Sequence, residues 1–155
     1  MLIAAAHFSF TVSDMRQSCA FYGDTLGLQQ IYEMKHVHPY TSRQVGFENA
    51  DLLAVGFRLG HGELPAGFPV LELIEYRHPR GVDVELATNN PGVAHIAFRV
   101  DDIFAQHERL TSAGVRFQSE PVLIEAGRNR GGYTVYFLDP DGITLELAQP
   151  PSATP

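Results

Sequence analysis

The chain contains an internal repeat, and this repeat limits the possible fold more than any other feature of the sequence. Residues 6–14 read Ala-His-Phe-Ser-Phe-Thr-Val-Ser-Asp, and residues 94–102 read Ala-His-Ile-Ala-Phe-Arg-Val-Asp-Asp. Each block precedes a helical pattern that a glycine ends, and each half later carries Leu-Glu-Leu, at 71–73 and at 145–147. Two halves of this length are too long for solenoid repeats, so the repeat predicts a duplicated small module.

Composition places the chain among folded, soluble proteins. It has 155 residues, of which 45% are hydrophobic, and this excludes a disordered chain and a membrane span. The net charge of −7 argues against a nucleic-acid partner, which usually needs a basic face. The single cysteine, Cys19, excludes a disulfide scaffold. Only six apolar residues precede His7, too few for a signal peptide, so we expect a cytoplasmic protein with no membrane partner.

Hydrophobic periodicity predicts the same order of elements in both halves: one strand, one helix and three further strands. The predicted strands cover residues 5–12, 28–37, 52–59, 70–76, 93–100, 115–119, 132–138 and 143–148. The first helix is predicted from Ser13 or Asp14 to Leu26, and the second over 102–113. Residues 39–49 are predicted to be a loop with a short strand, and 61–69 a turn-rich connection. We therefore expect a first module at 1–80, a linker at 81–92, a second module at 93–149 and a disordered tail at 150–155, all within one domain.

Four chemically active residues occupy equivalent places in the two halves. His7 lies on the strand face opposite Phe8, Phe10 and Val12, which we expect in the core, and His95 has the matching position. Glu72 and Glu146 stand inside apolar strands, where a carboxylate is costly to bury without a partner. Singly, each residue also fits a structural or surface role. Their symmetric placement favours a divalent metal site.

The sequence resembles the vicinal oxygen chelate superfamily, which includes glyoxalase I, bleomycin resistance proteins and extradiol dioxygenases. The resemblance covers roughly residues 4–149, and its most specific segments are 94–102 and Tyr-Phe-Leu-Asp-Pro-Asp-Gly-Ile-Thr-Leu-Glu-Leu at 136–147, with Phe21-Tyr22 typical of the first helix. It implies an α+β fold in which two tandem βαβββ modules form an eight-stranded cup around one metal site. It also implies a homodimer.

The resemblance assigns roles to the four residues. His7, Glu72, His95 and Glu146 match the glyoxalase I ligand set for one divalent ion, which by this resemblance is Zn, Ni, Co, Mn or Fe. Glu146 and Glu72 are then the catalytic pair that moves the substrate proton. Two departures argue against a glutathione substrate: Thr11 stands where glyoxalase I carries an arginine, and Tyr76 stands where it carries an asparagine.

Several further residues are candidates for substrate binding. Arg99 shares a strand face with His95 and suits a carboxylate or phosphate, although an ion pair with a neighbouring carboxylate explains it equally well. Arg128 and Arg130 lie in a glycine-flanked loop that fits either a lid over an anionic ligand or a solvated surface. Tyr76 shares a face with Glu72.

Three functions remain open from the sequence. The first is a metal-dependent glyoxalase-like isomerase or lyase that acts on a small α-hydroxy or α-keto substrate, expected to be anionic. The second is an Fe(II)-dependent extradiol-type dioxygenase that uses three of the ligands. The third is a metal-free module for binding or resisting a small molecule, against which the complete set of four ligands argues.

Overall fold

The computed structural model describes residues 1–60 and 70–152, and the chain forms two compact units, Met1–Asp83 and Val84–Pro155. The boundary between the units falls inside the segment that we expected to link the modules. The predicted turn-rich connection at 61–69 lies outside the described residues, as do the last three residues of the predicted tail. In the described part of the chain, none of the helices is long and apolar enough to cross a membrane.

The first unit is a four-stranded sheet with helices. Its elements are β1 His7–Thr11, α1 Met15–Cys19 with a π-helical continuation Ala20–Thr25, β2 Gln30–His36, α2 Pro39–Val45, β3 Asp51–Arg58 and β4 Val70–His78. The strand order is β1-β4-β3-β2, with β1 parallel to β4 and the other pairs antiparallel. Because β1 and β4 are adjacent, the sheet brings the beginning of the module next to its end.

Helix α1 begins as the sequence predicts. The Asp14 side chain accepts a hydrogen bond from the backbone N–H of Gln17 at 3.0 Å, which satisfies one of the unpaired donors at the helix start. Gly27 follows the helical segment with φ of +79°, a conformation that favours glycine. Met15 and Tyr22, seven residues apart on this helical segment, are both buried.

Helix α2 corrects the expectation of a loop at 39–49. Pro39 lies in its first turn, and Gly46 ends it in the left-handed conformation with φ of +78°. Proline at the start and glycine just past the end are ordinary helix signals. The helix is only seven residues long and mostly polar, so its periodicity was too short to indicate a helix.

The core of the first unit lies under its central strands. Val55, Phe57, Leu71 and Leu73 on β3 and β4 are all fully buried. Phe8, expected in the core, is 49% exposed, so that prediction is wrong. The physical reason is that β1 is an edge strand, paired only with β4 in its sheet, so its side chains have neighbours on one side only.

Among the described residues, the second unit repeats the strand plan of the first with one extra strand and has no counterpart of α2. Its elements are β5 Ile96–Arg99, α3 Ile103–Ser112, β6 Arg116–Phe117, β7 Val122–Leu123, β8 Tyr133–Leu138 and β9 Thr144–Gln149. The strand order is β5-β9-β8-β6, and β7 also pairs with β8. All eight predicted strands are therefore present among the described residues, β7 is an addition to them, and the α+β class is confirmed.

Candidate metal centre

In the first unit the parallel pairing of β1 and β4 places an imidazole beside a carboxylate. Ser9 lies directly opposite Glu72, and His7, two residues earlier, shares its face. The His7 Nε2 atom is 3.9 Å from the Glu72 Oε2 atom. The His7 side chain is 52% exposed and the Glu72 side chain only 16%, so the imidazole is accessible while the carboxylate is set into the sheet.

The other oxygen of Glu72 is held by a residue from two strands away. Tyr32 on β2 donates a hydrogen bond from its hydroxyl to Glu72 Oε1 at 2.8 Å. Tyr32 lies opposite Gly56 on β3, and Gly56 lies opposite Glu72 on β4, so the three residues form one row across the sheet. Burial, together with this hydrogen bond to the carboxylate, raises the pKa of Tyr32 to about 12, and its hydroxyl is a donor at neutral pH.

The second unit contains an equivalent pair in the same register. Ala97 on β5 lies opposite Glu146 on β9, as Ser9 lies opposite Glu72, and His95 precedes Ala97 by two residues. The His95 Nε2 atom is 3.2 Å from Glu146 Oε2, and the two side chains are 41% and 17% exposed. The correspondence that the sequence repeat predicted therefore extends to individual atoms.

Different neighbours surround this second pair. The hydroxyl of Thr134, on the adjacent strand β8, donates a short hydrogen bond to Glu146 Oε1. Tyr136 lies opposite Glu146, in the position that Gly56 occupies in the first unit, and its ring centre is 5.2 Å from that of His95. In both units, then, a hydroxyl engages Oε1 and leaves Oε2 turned towards an imidazole.

Both pairs consist of donor atoms that divalent metal ions bind, and one of them also has the spacing of two ligands on one ion. Two donor atoms that each lie roughly 2.1 Å from one ion, in tetrahedral or octahedral geometry, stand roughly 3.0–3.4 Å apart. The His95–Glu146 distance falls in this range, and the His7–Glu72 distance is somewhat longer. Across residues 1–60 and 70–152, no group of three or more His, Cys, Asp or Glu side chains is clustered as a metal site. That one ion takes ligands from both pairs stays a prediction.

Two of the predicted substrate-binding residues, Arg99 and Tyr76, lie farther along the strands, and the other two lie in a turn. Arg99 is exposed at the end of β5, opposite Ala148, on the face that carries Glu146. Arg128 and Arg130 are exposed in the turn that leads into β8, and this turn is closed by backbone hydrogen bonds such as Arg130 N–H to the Gly127 carbonyl. Tyr76 is four residues beyond Glu72, roughly 13 Å along the strand. Their role in binding a substrate stays a prediction.

Sequence reasoning missed Tyr32, Gly56 and Thr134. The alternation of β8 places Thr134 on the face of Tyr136, but only the strand pairing shows that this face is also that of Glu146. For Tyr32 no local signal exists, because its contact with Glu72 crosses an intervening strand. Glycine inside the apolar strand β3 was a usable sign of a close approach.

The comparison with known proteins identifies the family. Residues 4–147 match the model of the glyoxalase/bleomycin resistance protein/dioxygenase superfamily, so the chain belongs to this superfamily. A lactoylglutathione lyase from Haemophilus influenzae is 30% identical over 146 residues, covering 92% of this chain and 90% of the relative. A 2-epi-5-epi-valiolone epimerase from an Actinomyces species is 29% identical over 159 residues, covering 99% of this chain and 82% of the relative.

Solved structures confirm the fold. The crystal structure of a glyoxalase family protein from Bacillus cereus has a TM-score of 0.80 to this chain, at 20% sequence identity, and covers 98% of this chain and 97% of the other. The resemblance stated from the sequence is therefore confirmed. The relatives named as a lyase and an epimerase are enzymes, and both kinds of reaction fall within the glyoxalase-like class that the sequence favoured.

Proposed function

We propose that the chain is a divalent-metal-dependent enzyme of the glyoxalase type, an isomerase or lyase that acts on a small anionic substrate with two neighbouring oxygens. One observation carries the proposal. In each unit an accessible imidazole Nε2 stands beside a carboxylate Oε2, at the same register of the sheet. Together the pairs supply His7, Glu72, His95 and Glu146 to one ion, which by ligand chemistry is Zn, Ni, Co, Mn or Fe.

The two carboxylates are suited to moving a proton. A divalent ion bound by these residues would polarise the substrate's carbonyl oxygen and stabilise negative charge on it. Glu146 would accept the proton from the adjacent carbon at Oε2 when that oxygen is not bound to the ion, because its Oε1 is engaged by the Thr134 hydroxyl. Glu72 would be the second proton carrier in the same way, with Oε2 turned towards His7 and Oε1 held by Tyr32. Two carboxylates in equivalent settings favour a reaction that removes a proton at one place and returns it at another.

Cationic side chains favour an anionic substrate. Arg99 shares the face of Glu146 and is exposed, so its guanidinium is available to a carboxylate of an α-keto or α-hydroxy acid. Arg128 and Arg130 lie in the turn before β8, the strand that carries Thr134. Tyr76 is the candidate for contacts on the Glu72 side.

We propose a substrate without glutathione, although three relatives are named lactoylglutathione lyase or probable lactoylglutathione lyase. The reason is that Thr11 and Tyr76 replace the arginine and asparagine of the glyoxalase I pattern. The proposal also includes a homodimer in the cytoplasm. The lone cysteine suits a reducing compartment, and the dimer follows from the family resemblance alone, so sedimentation analysis has to test it.

Titration of Ni²⁺ into the metal-free protein by calorimetry tests the centre. We expect one ion per chain. His7→Ala and His95→Ala should each weaken Ni²⁺ binding by more than roughly 10–100-fold, which is the cost of losing only the hydrogen-bond partner of a metal ligand. His38→Ala is the matched control, because His38 is exposed and stacks on Tyr40 away from both pairs. Thermal melts check that the variants fold.

Two results would contradict the proposal. Unchanged Ni²⁺ affinity in both histidine variants would place the metal elsewhere. Two ions per chain, with each histidine variant losing one of them, would mean that each unit binds its own ion and that the shared centre is wrong.

A further inference from the structure

The contact between Tyr32 and Glu72 depends on a missing side chain between them. Tyr32 on β2 reaches Glu72 on β4 by lying over Gly56 on the intervening strand β3. A Cβ atom built on Gly56 would lie 2.3 Å from the Tyr32 ring carbon Cε1, a distance that real atoms do not adopt. The ring therefore occupies the space that any other residue at position 56 would fill.

We propose that Tyr32, seated over Gly56, is a positioning residue of the candidate metal centre, which fixes Glu72 so that Oε2 is the oxygen presented beside His7. The inference rests on the proposed metal centre and deepens it. Tyr32 touches the carboxylate and is not itself placed on a metal or substrate, so it acts through Glu72.

Glu72 needs such a partner for a physical reason. A glutamate side chain has three rotatable bonds, and ordering them opposes metal binding unless the side chain is already held. The Tyr32 hydroxyl occupies one oxygen at 2.8 Å, which fixes the plane of the carboxylate and leaves the lone pairs of Oε2 free. Glu72 Oε2 then lies 3.9 Å from His7 Nε2, so the two candidate metal-binding atoms are neighbours.

In the second unit a different residue, Thr134, holds the glutamate in the way that Tyr32 does in the first. There Thr134, on the strand next to Glu146, donates to Oε1, and Tyr136 occupies the position that corresponds to Gly56. Both carboxylates are thus held at the same oxygen, although the hydroxyl comes from an adjacent strand in one unit and from two strands away in the other. A hydroxyl on Oε1 is the feature that the two units share.

Calorimetric titration of Ni²⁺ into Tyr32→Phe tests the inference, because this change deletes the hydroxyl and keeps the ring. We expect Ni²⁺ affinity to fall about 10–100-fold, the range for losing a hydrogen-bond partner of a metal ligand. Gly56→Ala displaces the ring and gives a similar loss, and combining both changes gives no further loss. Tyr40→Phe is the matched control and keeps the wild-type affinity, since Tyr40 contacts His36 and His38 instead.

A double-mutant cycle separates positioning from general damage to the fold. In a Glu72→Ala background the phenol has no carboxylate to hold, so Tyr32→Phe leaves the residual Ni²⁺ affinity unchanged. Equal losses in both backgrounds would overturn the inference. Wild-type affinity in Tyr32→Phe would also overturn it while leaving the metal centre intact, whereas a wild-type protein that binds no Ni²⁺ would refute the proposed function itself.

Discussion

The two units carry the same pair of candidate ligands, one histidine and one glutamate, but hold the glutamate in different ways. In the first unit Glu72 is held by Tyr32 across a glycine, and in the second Glu146 is held by Thr134 beside Tyr136. The register of histidine and glutamate is the same in both. Strand pairing therefore fixes where each histidine meets its glutamate, while the hydroxyl that orients the carboxylate can come from any strand whose side chain reaches Oε1.

The largest effect is expected from replacing Glu146, and comparing it with the replacement of Glu72 tests whether the two carboxylates have the same role in the reaction. On the proposed function, Glu146→Gln should lower the turnover of an α-hydroxy or α-keto acid by about 10²–10⁴-fold, since an amide cannot accept the proton. Metal retention should change less, because the amide oxygen is still a donor. Glu120→Gln, an exposed carboxylate in the same unit, is the control. Wild-type turnover in Glu146→Gln would remove Glu146 from the catalytic role, and comparison with Glu72→Gln would show which unit supplies the base.

The next effect tests the glycine that distinguishes the first unit. Gly56→Ala should lower the free energy of unfolding by about 1–3 kcal/mol, because the new methyl group overlaps the Tyr32 ring. Adding Tyr32→Ala removes the overlap and should recover part of the loss. Chemical denaturation measures both. Gly81→Ala is the control, since a Cβ there meets nothing within 4 Å. Equal stability of Gly56→Ala and wild type would mean that the ring has room to move.

Thr134 allows a test, in the second unit, of whether the hydrogen bond that holds the carboxylate strengthens metal binding. Thr134→Val keeps the shape of the side chain and deletes the hydroxyl, so we expect Ni²⁺ affinity to fall about 10–100-fold. Thr134→Ser restores the hydroxyl and should recover most of the affinity. If valine and serine behave alike, the hydrogen bond to Glu146 Oε1 has no part in metal binding, and the parallel between the two units fails.

The smallest expected effect concerns Arg99, a cationic side chain that has no counterpart at the equivalent position of the first unit. Ser9 and Thr11 follow His7 on β1, whereas Ala97 and Arg99 follow His95 on β5. Arg99→Met keeps the length of the stem and deletes the charge. We expect oxalate binding to the metal-loaded protein to weaken about fivefold to tenfold, just below the range for a hydrogen bond to a charged group, because Arg99 is exposed. Unchanged oxalate affinity by calorimetry would return Arg99 to a surface role.

Much of the fold was predictable because it follows from local patterns. Apolar alternation predicted the eight strands of the two modules, and Asp14 and Asp102 marked the starts of two helices. Helix α2 was missed because seven mostly polar residues carry too little periodicity. Phe8 was misplaced because alternation tells which residues share a face of a strand, but not whether that face is covered.

The repeat, and with it the choice of His7, Glu72, His95 and Glu146 as candidate ligands, can be read from the sequence alone, because the two halves carry the same residue types at matching positions. The tertiary structure decided which atoms meet. Parallel pairing of β1 with β4, and of β5 with β9, joins residues that are 65 and 51 positions apart (72 minus 7, and 146 minus 95). The reach of Tyr32 over Gly56 depends on the order of three strands, which no local pattern encodes. Residue types follow from the chain, whereas the orientation of each carboxylate follows from the register of the sheet around it.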